Sequence, residues 1–340
     1  MKKDVVTIAD VARHAGVSVS TVSYVLSGKR SISATTSARV RASIRALGFH
    51  PHAGARSLAS NRSSIIALVL PLRQGMHLPV LMQFATAVVT SARANDHDVL
   101  LVTADEGPAG LRRVAAGAIV DGLVLMDVEM HDPRVPTLRQ LDRPSVLIGL
   151  PVDSSGLTCV DLDFHQAGAI CVQHLAGLGH RRVALLGAPQ VVYERDTGFA
   201  HRTRDGFMQT AQLLGLDAHT QPCEEDAATV MSTVTALLGR APGLTGLVVH
   251  NEAAVAHVLD ALRSLGKRVP EDISLVAICP DELAERSHPR LSSVQIPADD
   301  VGRRAVDLLM AKLDQREVPP ITLLAPVLTS RTSTGPWTAR

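Results

Sequence analysis

The sequence predicts an α/β protein in which a small all-α unit with a helix-turn-helix precedes a larger body built on parallel sheets. From Ser63 onward, short apolar runs alternate with amphipathic segments, as expected for parallel strands covered by helices on both faces. Before residue 50 the apolar residues recur at helical spacing instead. Residues 1–62 also carry ten basic and two acidic side chains, whereas the other 278 residues carry 24 basic and 31 acidic ones.

This uneven charge indicates that the N-terminal unit meets a polyanion and that the mildly acidic body does not. The 340 residues suffice for two or three compact units, and because only 2% are aromatic, the cores must consist of Leu, Val, Ile and Ala. The first ten residues contain no apolar signal-peptide core, and the longest apolar run, 65–72, is too short to span a bilayer. Four widely spaced cysteines without a CxxC pair favour a reduced cytoplasmic protein.

Caps and turns between residues 7 and 48 predict the helix-turn-helix. Thr7 and Ser18 are good N-caps, Gly16 permits a tight turn between two helices, and Gly48 ends a third helix. The three predicted helices end near Ala15, run from Val19 to Ser27, and run from Ala34 to Leu47.

The second helix presents small or hydrogen-bonding side chains on its outer face, namely Val19, Ser20, Thr21, Ser23 and Tyr24. A helix that enters the major groove of DNA presents its first turns to base edges, while hydroxyls and basic groups hold phosphates. Spacing and charge alone leave two interpretations open: a DNA-binding unit, or an unrelated small helical bundle with a solvated basic face.

These residues resemble the N-terminal headpiece of the LacI/GalR family of bacterial transcription regulators. The matching strings are TIADVARHAGVSVSTVSYVLSGK, ISATTSARVRASIRALGF and HPHAGARSLAS. The strings are highly specific together, and the resemblance extends through nearly the whole chain. It implies a cytoplasmic, homodimeric, effector-controlled regulator, expected to be a repressor, that binds a near-palindromic operator in double-stranded DNA.

The resemblance also assigns roles to residues of the N-terminal unit. Val19 and Ser20 take the positions that select bases. Tyr24 stands where the family most often has Arg, the usual bidentate reader of guanine, so the base at that position is open. The implied phosphate or positioning contacts are Thr7, Ser18, Thr21, Ser23, Ser33 and Thr36.

Residues 51–60 resemble the hinge helix of the family. So short a helix is marginal alone, and Gly54 weakens it further, so we expect it to order only when paired with its twin on DNA. Ala55 and Leu58 are the implied hinge contacts, and Leu58 matches the apolar wedge that opens a base step from the minor groove. The alternative is a flexible linker with Leu58 packed on the body.

The body contains seven candidate strands with helical patterns between them. The predicted strands are Ile65–Leu70, Val99–Thr103, Gly122–Met126, Ser145–Ile148, Arg182–Leu186, Gly246–His250 and Ser274–Ile278. The predicted helices are Leu81–Ala94, His165–Leu178, Thr203–Leu214, Ala228–Leu238 and Glu252–Leu265. Two such parallel sheets with a cleft between them would form a two-lobed, periplasmic-binding-protein-like domain.

The domain boundaries and crossovers come from the family resemblance. They are a helix-turn-helix domain over 1–49, a hinge or linker over 50–62, and an effector-binding and dimerisation domain over 63–340. Within the last, the first lobe comprises about 64–161 and 292–320, and the second about 163–291 and 321–335. No leucine heptads follow Trp337, which favours a dimer over a tetramer.

Ligands of open α/β sheets lie beyond the carboxyl ends of the strands. Those ends are Pro71–His77, Thr103–Gly107, Asp127–Met130, Gly149–Val152, Gly187–Arg204, His250–Glu252 and Cys279–Glu282. By resemblance, Asn251 is the best candidate for contact with the effector, a sugar or related metabolite. The expected Arg and Asp of the family are displaced, which leaves Arg202, Arg204 and Asp281 as substitutes, with surface or salt-bridge roles as equal alternatives.

Motifs of catalysis are absent. The sequence contains no GxxxxGKS, GxSxG or HExxH string, and no GxGxxG after the first strand. We therefore expect no catalytic residues, no cofactor and no metal, and we interpret Asp161 and Asp163 as crossover-loop residues rather than as paired catalytic carboxylates. The alternatives from other classes are a nucleotide-dependent α/β enzyme and a solute-binding protein, each with a helical appendage.

Overall fold

The computed structural model describes residues 6–27, 30–49, 63–117 and 119–337. Before residue 50 these residues form three helices: α1 (Ile8–Ala15), α2 (Val19–Ser27) and α3 (Ala34–Leu47). The bounds confirm the three helices predicted from caps and turns.

Local hydrogen bonds explain where these helices begin and end. The Thr7 hydroxyl accepts from the Asp10 amide at 3.4 Å, and the Asp10 carboxylate accepts from the Thr7 amide at 2.9 Å, which forms a capping box at the start of α1. Gly16 and Gly48 end α1 and α3 at φ angles of 61° and 59°, which favour glycine. The turn between α1 and α2 therefore depends on Gly16.

One apolar core holds the three helices together. Val11 of α1, Val22 of α2 and Val40 of α3 are fully buried in it. Phe49, which follows α3, is also buried there. Since one side of each helix is used for this core, the other side is left for contacts with a partner.

In the body the described residues form two six-stranded sheets. The strands are β1 (Ile65–Val69), β2 (Asp98–Val102), β3 (Gly122–Leu125), β4 (Ser145–Ile148), β5 (Cys159–Leu162), β6 (Arg182–Gly187), β7 (Asp217–Pro222), β8 (Gly246–Val249), β9 (Ser274–Cys279), β10 (Ser292–Gln295), β11 (Ile321–Leu324) and β12 (Leu328–Thr329). The first sheet has the order β11-β5-β4-β3-β1-β2 and is parallel throughout. The second has the order β12-β10-β9-β8-β6-β7, with only β12 antiparallel to its neighbour.

Helices cover both sheets, as the alternating pattern predicts. They are α4 (Leu78–Ala94), α5 (Gly107–Ala116), α6 (Val135–Gln140), α7 (Phe164–Gly177), α8 (Gln190–Glu194), α9 (Gly198–Leu213), α10 (Ala227–Arg240), α11 (Val255–Ser264), α12 (Asp281–Arg286) and α13 (Ala298–Leu313). All seven predicted strands and all five predicted body helices are present, with ends shifted by a few residues.

The predicted lobe boundaries near the C-terminus need correction. Residues 292–295 were expected in the first lobe, but they form β10, which pairs with β9 in the second sheet. Residues 321–324 were expected in the second lobe, but they form β11, which pairs with β5 in the first sheet. The reason is that Ser292, Ser293 and Val294 are fully buried beside β9, so the chain leaves the second sheet only after β10.

Five strands were not predicted: β5, β7, β10, β11 and β12. β7 and β11 are edge strands whose side chains are partly or fully exposed, and a half-exposed edge strand needs few apolar residues. β5 and β10 lie inside their sheets and are largely buried, but each has only four residues and contains polar ones, and β12 has only two residues.

The crossing of α7 and α9 depends on two glycines. A Cβ atom on Gly206 would lie 1.9 Å from the carbonyl oxygen of His165, and one on Gly168 would lie 2.2 Å from that of Thr203. Larger residues at either position would therefore push the helices apart. No helix of the described ranges is long and apolar enough to cross a bilayer.

Candidate DNA-binding surface and ligand cleft

The candidate DNA contacts that the structure describes all lie at the surface of the three-helix unit, and none of these nine is buried. The exposed ones are Thr7, Ser18, Val19, Ser20 and Ser33, and the partly exposed ones are Thr21, Ser23, Tyr24 and Thr36. Ala55 and Leu58 lie outside the described residues, as does the whole segment 51–60. The expected hinge therefore stays a prediction.

The first turn of α2 gathers three hydroxyls around one apolar side chain. The Ser18 hydroxyl accepts from the Thr21 amide at 3.2 Å and lies 2.8 Å from the hydroxyls of both Ser20 and Thr21. Val19 is 46% exposed beside them. Such a surface can bind phosphate oxygens through its hydroxyls and a thymine methyl group through the valine.

Tyr24 has a cationic neighbour. The guanidinium carbon of Arg30 lies 5.9 Å from the centre of the Tyr24 ring, within the range of a cation–π contact. On α3, Arg39, Arg41 and Arg45 are exposed. The basic charge predicted for this unit is therefore available at its surface for contacts with a polyanion.

A cleft that is partly open to solvent lies between the two sheets at the carboxyl ends of their strands. The first lobe supplies its wall with the loops after β1, β3 and β4 and with α4, and the second lobe supplies the loops after β6, β7 and β8. Of the seven strand ends named from the sequence, 103–107 and 279–282 contribute no lining residue.

Aromatic side chains concentrate in this cleft. Phe84, Phe164 and Phe199, three of the five phenylalanines in the chain, line it. The ring of His250 stacks on Phe164 at 5.6 Å and meets the edge of Phe199 at 5.5 Å between centroids. Aromatic faces of this kind bind the apolar face of a ring-shaped ligand.

A charge network connects the two lobes beside the cleft. The Asp127 carboxylate, only 2% exposed, lies 3.0 Å from a guanidinium nitrogen of Arg73 in the first lobe and 3.7 Å from Nε of Arg195 in the second. Arg195 also donates to the carbonyl oxygen of Gln74 at 3.0 Å. These contacts cross from one lobe to the other, so a change in the angle between the lobes has to rearrange them.

Burial shifts the acid–base behaviour of three lining residues. It raises the pKa of Asp161 and that of Glu252 to about 7, because the charged carboxylate is poorly solvated. It lowers the pKa of His250 to about 4, so the imidazole is neutral at pH 7. At neutral pH the cleft therefore contains two partly protonated carboxyl groups and a neutral histidine.

Asn251 lies in the wall of the cleft and is 4% exposed. Its amide donates to the carbonyl oxygen of Cys223 at 2.6 Å and accepts from the Ala253 amide at 3.2 Å. The side chain thus joins the loop after β8 to the end of β7. It can contact a ligand, and it also positions the loop that holds His250 and Glu252.

The other three predicted effector residues are not among the residues that line the cleft, so their contact with an effector stays a prediction. Arg202 donates to the carbonyl oxygen of Leu150 at 3.0 Å, and the Arg204 guanidinium lies 5.6 Å from the ring of Tyr193. The carboxylate of Asp281 pairs with Arg331 at 2.7 Å. Each of these side chains has a partner that is not among the lining residues, as their structural alternatives require.

Several lining residues were not singled out from the sequence. Arg195, Phe199, His250 and Glu252 lie within the strand ends named above, but nothing in the sequence separates them from their neighbours. Asp161 was interpreted as a crossover-loop residue, yet it lies in β5 and lines the cleft. Because the short strand β5 was not predicted, nothing in the sequence indicated that the Asp161 side chain would face the cleft.

Comparisons with known proteins agree with the fold. Residues 7–52 match the family described as bacterial regulatory proteins of the lacI family, and residues 172–334 match the periplasmic binding protein-like domain. Together the two matches cover more than half of the chain. They correspond to the helix-turn-helix unit and to the part of the body that follows the start of α7.

Similar proteins cover nearly the full length. The HTH-type transcriptional regulator CelR of Thermobifida fusca is 28% identical over 94% of this chain and 95% of its own. The ribose operon repressor of Escherichia coli K12 is 27% identical over 96% and 99%. A solved CelR–cellobiose complex is 26% identical with a TM-score of 0.70, covering 96% of this chain and 99% of the other.

A lac repressor dimer bound to operator and an anti-inducer has a TM-score of 0.81 over 97% of this chain and 99% of the other, which at 22% identity shows the fold alone. The curated relatives named above are regulators, which confirms the expectation of a regulator and not an enzyme. The chain belongs to the LacI family of bacterial regulatory proteins and is a DNA-binding transcriptional regulator.

Proposed function

We propose that this chain is a homodimeric repressor whose binding to a near-palindromic operator is controlled by a small molecule in the cleft. The observation that carries the proposal is the combination of an exposed helix-turn-helix surface with a cleft that has aromatic walls and faces both lobes. The ligand is a sugar or related metabolite, because the stacked Phe164, Phe199 and His250 rings suit the apolar face of a sugar. The relative CelR is known in complex with cellobiose, which supports this ligand class.

Exposed apolar side chains on the first lobe support the dimer. Leu78, Met82 and Val89 of α4 are 51%, 48% and 47% exposed, and Leu100 and Leu101 of the edge strand β2 are 39% and 46% exposed. A neighbouring helix and edge strand with so many exposed apolar residues favour contact with a second copy of the chain.

In the proposed mechanism the ligand acts through the angle between the lobes. A new angle changes the distance between residue 63 of one copy and residue 63 of the other. This distance determines whether the two 51–60 segments can pair on DNA. A coupling free energy of about 1–3 kcal/mol is enough for this. The proposal keeps the division into 1–49, 50–62 and 63–340, and it places the protein in the cytoplasm, where the operator DNA lies.

A gel shift with the full chain tests the proposal. In vitro selection from random DNA is expected to yield a two-fold symmetric site, and retardation of that site should weaken steeply as salt rises. Adding the sugar that most stabilises the protein in a thermal-shift screen should change the retardation. A chain that retards no DNA at low salt, or a monomer at all concentrations, would contradict the proposal.

Tyr24→Arg should change the preferred operator. An arginine at this position can form two hydrogen bonds to guanine, worth about 1–3 kcal/mol of discrimination, which tyrosine cannot form. Selection from random DNA with the wild-type and variant chains checks this, and Tyr24→Phe is the matched control because it keeps the ring that Arg30 approaches. If Tyr24→Arg selects the same site as wild type, Tyr24 faces no base.

Asn251→Ala should remove the response to the ligand while DNA binding stays intact. The variant loses the amide that joins the carbonyl of Cys223 to the loop holding His250 and Glu252, so the wall of the cleft is no longer fixed. Gel shifts with and without the sugar from the screen measure the response. The exposed Asn95→Ala is the control, and a normal response in Asn251→Ala would exclude this residue from the coupling.

A further inference from the structure

The charge of the cleft wall is strongly asymmetric. Four carboxylic acids line the cleft, Asp127, Asp161, Glu225 and Glu252, against one arginine, Arg195. The lining histidines His77 and His250 add little positive charge, since burial lowers the pKa of both. A ligand that enters the cleft therefore meets an excess of acidic groups.

Arg73 and Arg195 near the cleft both lie beside carboxylates, and Arg73 is the more tightly held. Arg73 contacts three carboxylates, those of Asp105, Asp127 and Glu129, at 2.7–3.0 Å. Arg195 donates to the carbonyl oxygen of Gln74, and its Nε, which has no hydrogen-bond partner among the described residues, lies 3.7 Å from Asp127. A phosphate or carboxylate on the ligand would have to compete with the carboxylates that hold Arg73 and would lie close to Asp127, which is costly.

The remaining acids have no such partner. Asp161 is 7% exposed and accepts a hydrogen bond from the Leu162 amide at 2.9 Å. Glu225 and Glu252 are close enough to repel each other. Among the residues that the structure describes, none of these three carboxyl groups takes part in an ion pair within 4 Å. Burial raises the pKa of Asp161, and the charge of Arg202 lowers it to a smaller extent. Burial lowers the pKa of His77, and the charge of Glu225 raises it to a smaller extent.

An independent observation concerns His250. Its side chain is 3% exposed and lines the cleft, and its Nδ1 atom is buried without a hydrogen-bond partner among the described residues. Leaving a buried polar nitrogen unpaired is costly, so such an atom indicates a site for a ligand group. A neutral imidazole whose Nδ1 is the acceptor takes a hydrogen bond from an N–H or O–H group.

We propose that the ligand is a sugar, or a ring of similar size, that bears a positively charged amino group. Asp161 and Glu252, which are partly protonated at pH 7, ionise beside the amino group and join Glu225 in balancing its charge. His250 accepts a hydrogen bond, and the phenylalanine rings pack on the apolar face of the ligand. The inference rests on the proposed function and names the ligand class for the same cleft.

The same acidic groups disfavour anionic ligands. A cation restores charge balance to carboxyl groups that lack an internal partner, whereas a second anion adds repulsion in a site where burial already weakens solvation. A neutral sugar keeps the ring contacts but leaves the acids unpaired. The expected order of affinity is therefore amino sugar, then neutral sugar, then sugar acid or sugar phosphate.

Matched sugars test this order on the full-length chain. Calorimetric titrations would compare D-glucosamine with D-glucose, N-acetyl-D-glucosamine and D-glucuronate, at a pH that keeps the amine protonated, and would repeat the set in the galacto and manno series. At least one amino sugar should bind about tenfold more tightly than its neutral and acetylated counterparts, which corresponds to about 1.4 kcal/mol. The sugar acids should bind more weakly than the neutral sugars.

Variants of the acids give the second readout. The double variant Glu225→Gln and Glu252→Gln should lose most of the preference for the amino sugar while it keeps the affinity for the neutral one, and the exposed Glu317→Gln serves as the control. Equal or tighter binding of a neutral or acidic sugar, or no binding of any amino sugar, overturns the inference. Gel shifts on the same samples distinguish failure of this inference from failure of the proposed function. If the chain still binds DNA and responds to another sugar, only the ligand class is wrong.

Discussion

Replacing Asp132 with alanine is expected to lower the free energy of unfolding by about 3–5 kcal/mol. Asp132 and Arg134 form a buried ion pair at 2.7 Å, with side chains only 2% and 4% exposed. Arg134 also donates to the carbonyl oxygens of Met126 and Asp127, at 3.2 and 2.8 Å, so it fixes the loop that brings Asp127 to the cleft. Without Asp132 the arginine remains buried and uncompensated.

Urea unfolding of the two chains measures this loss. Asp98→Ala is the control, because Asp98 forms an ion pair with Arg93 in which both side chains are about three-quarters exposed, and its removal should cost less than about 1 kcal/mol. Equal losses in the two variants would contradict the importance of the buried pair.

Lowering the pH should reduce the free energy of unfolding of the wild-type protein by protonating the Asp132 carboxylate. Burial works to raise the pKa of Asp132, but the hydrogen bonds from Arg134 outweigh it and the pKa is lowered. The stabilisation is therefore complete above the unfolded value of about 3.9 and is lost as the pH falls through the lower folded value. Asp132→Ala should show a smaller loss of stability over that acidic range.

Gly206→Ala should lower the free energy of unfolding by about 3 kcal/mol. The new Cβ atom would lie 1.9 Å from the carbonyl oxygen of His165, a backbone atom that can move only if α7 and α9 separate. These helices begin with the residues that carry Phe164 and Phe199 to the cleft, so the variant should also weaken ligand binding.

Gly239→Ala is the matched control for this substitution. Gly239 also lies in a helix, α10, but nothing would approach its new Cβ within 4 Å, so the alanine should raise stability by about 0.5–1 kcal/mol through helix propensity. If both variants shift the unfolding midpoint in the same direction, close packing does not decide the crossing of α7 and α9.

The helix-turn-helix was predictable because its signals are local. Thr7, Gly16, Ser18 and Gly48 act within one or two turns of themselves, and each has the cap or turn geometry expected from its type. The strands with continuous apolar runs were predictable for the same reason. Edge strands such as β7 and β11 could not be predicted in this way, because they form through pairing with a neighbouring strand and their own residues show little strand pattern.

The position of the cleft could be predicted from the sequence, but most of the residues that line it could not. Strand ends indicated where Asn251, His250 and Arg195 lie, but the direction of each side chain depends on packing between segments far apart in the chain. Arg202 and Arg204 lie in the same helix near the cleft, yet they contact Leu150 and Tyr193 and are not among the lining residues. The sequence contains no local signal for those partners.

The most direct test of the central claim, that one chain couples the cleft to DNA, is a reciprocal titration. The affinity of the full-length chain for its selected operator is measured with and without a saturating cleft ligand, and the affinity for the ligand is measured with and without operator. The account predicts that both affinities change by the same factor, about 5–150-fold, because coupling between two sites is reciprocal. Affinities that do not change in either direction would contradict it.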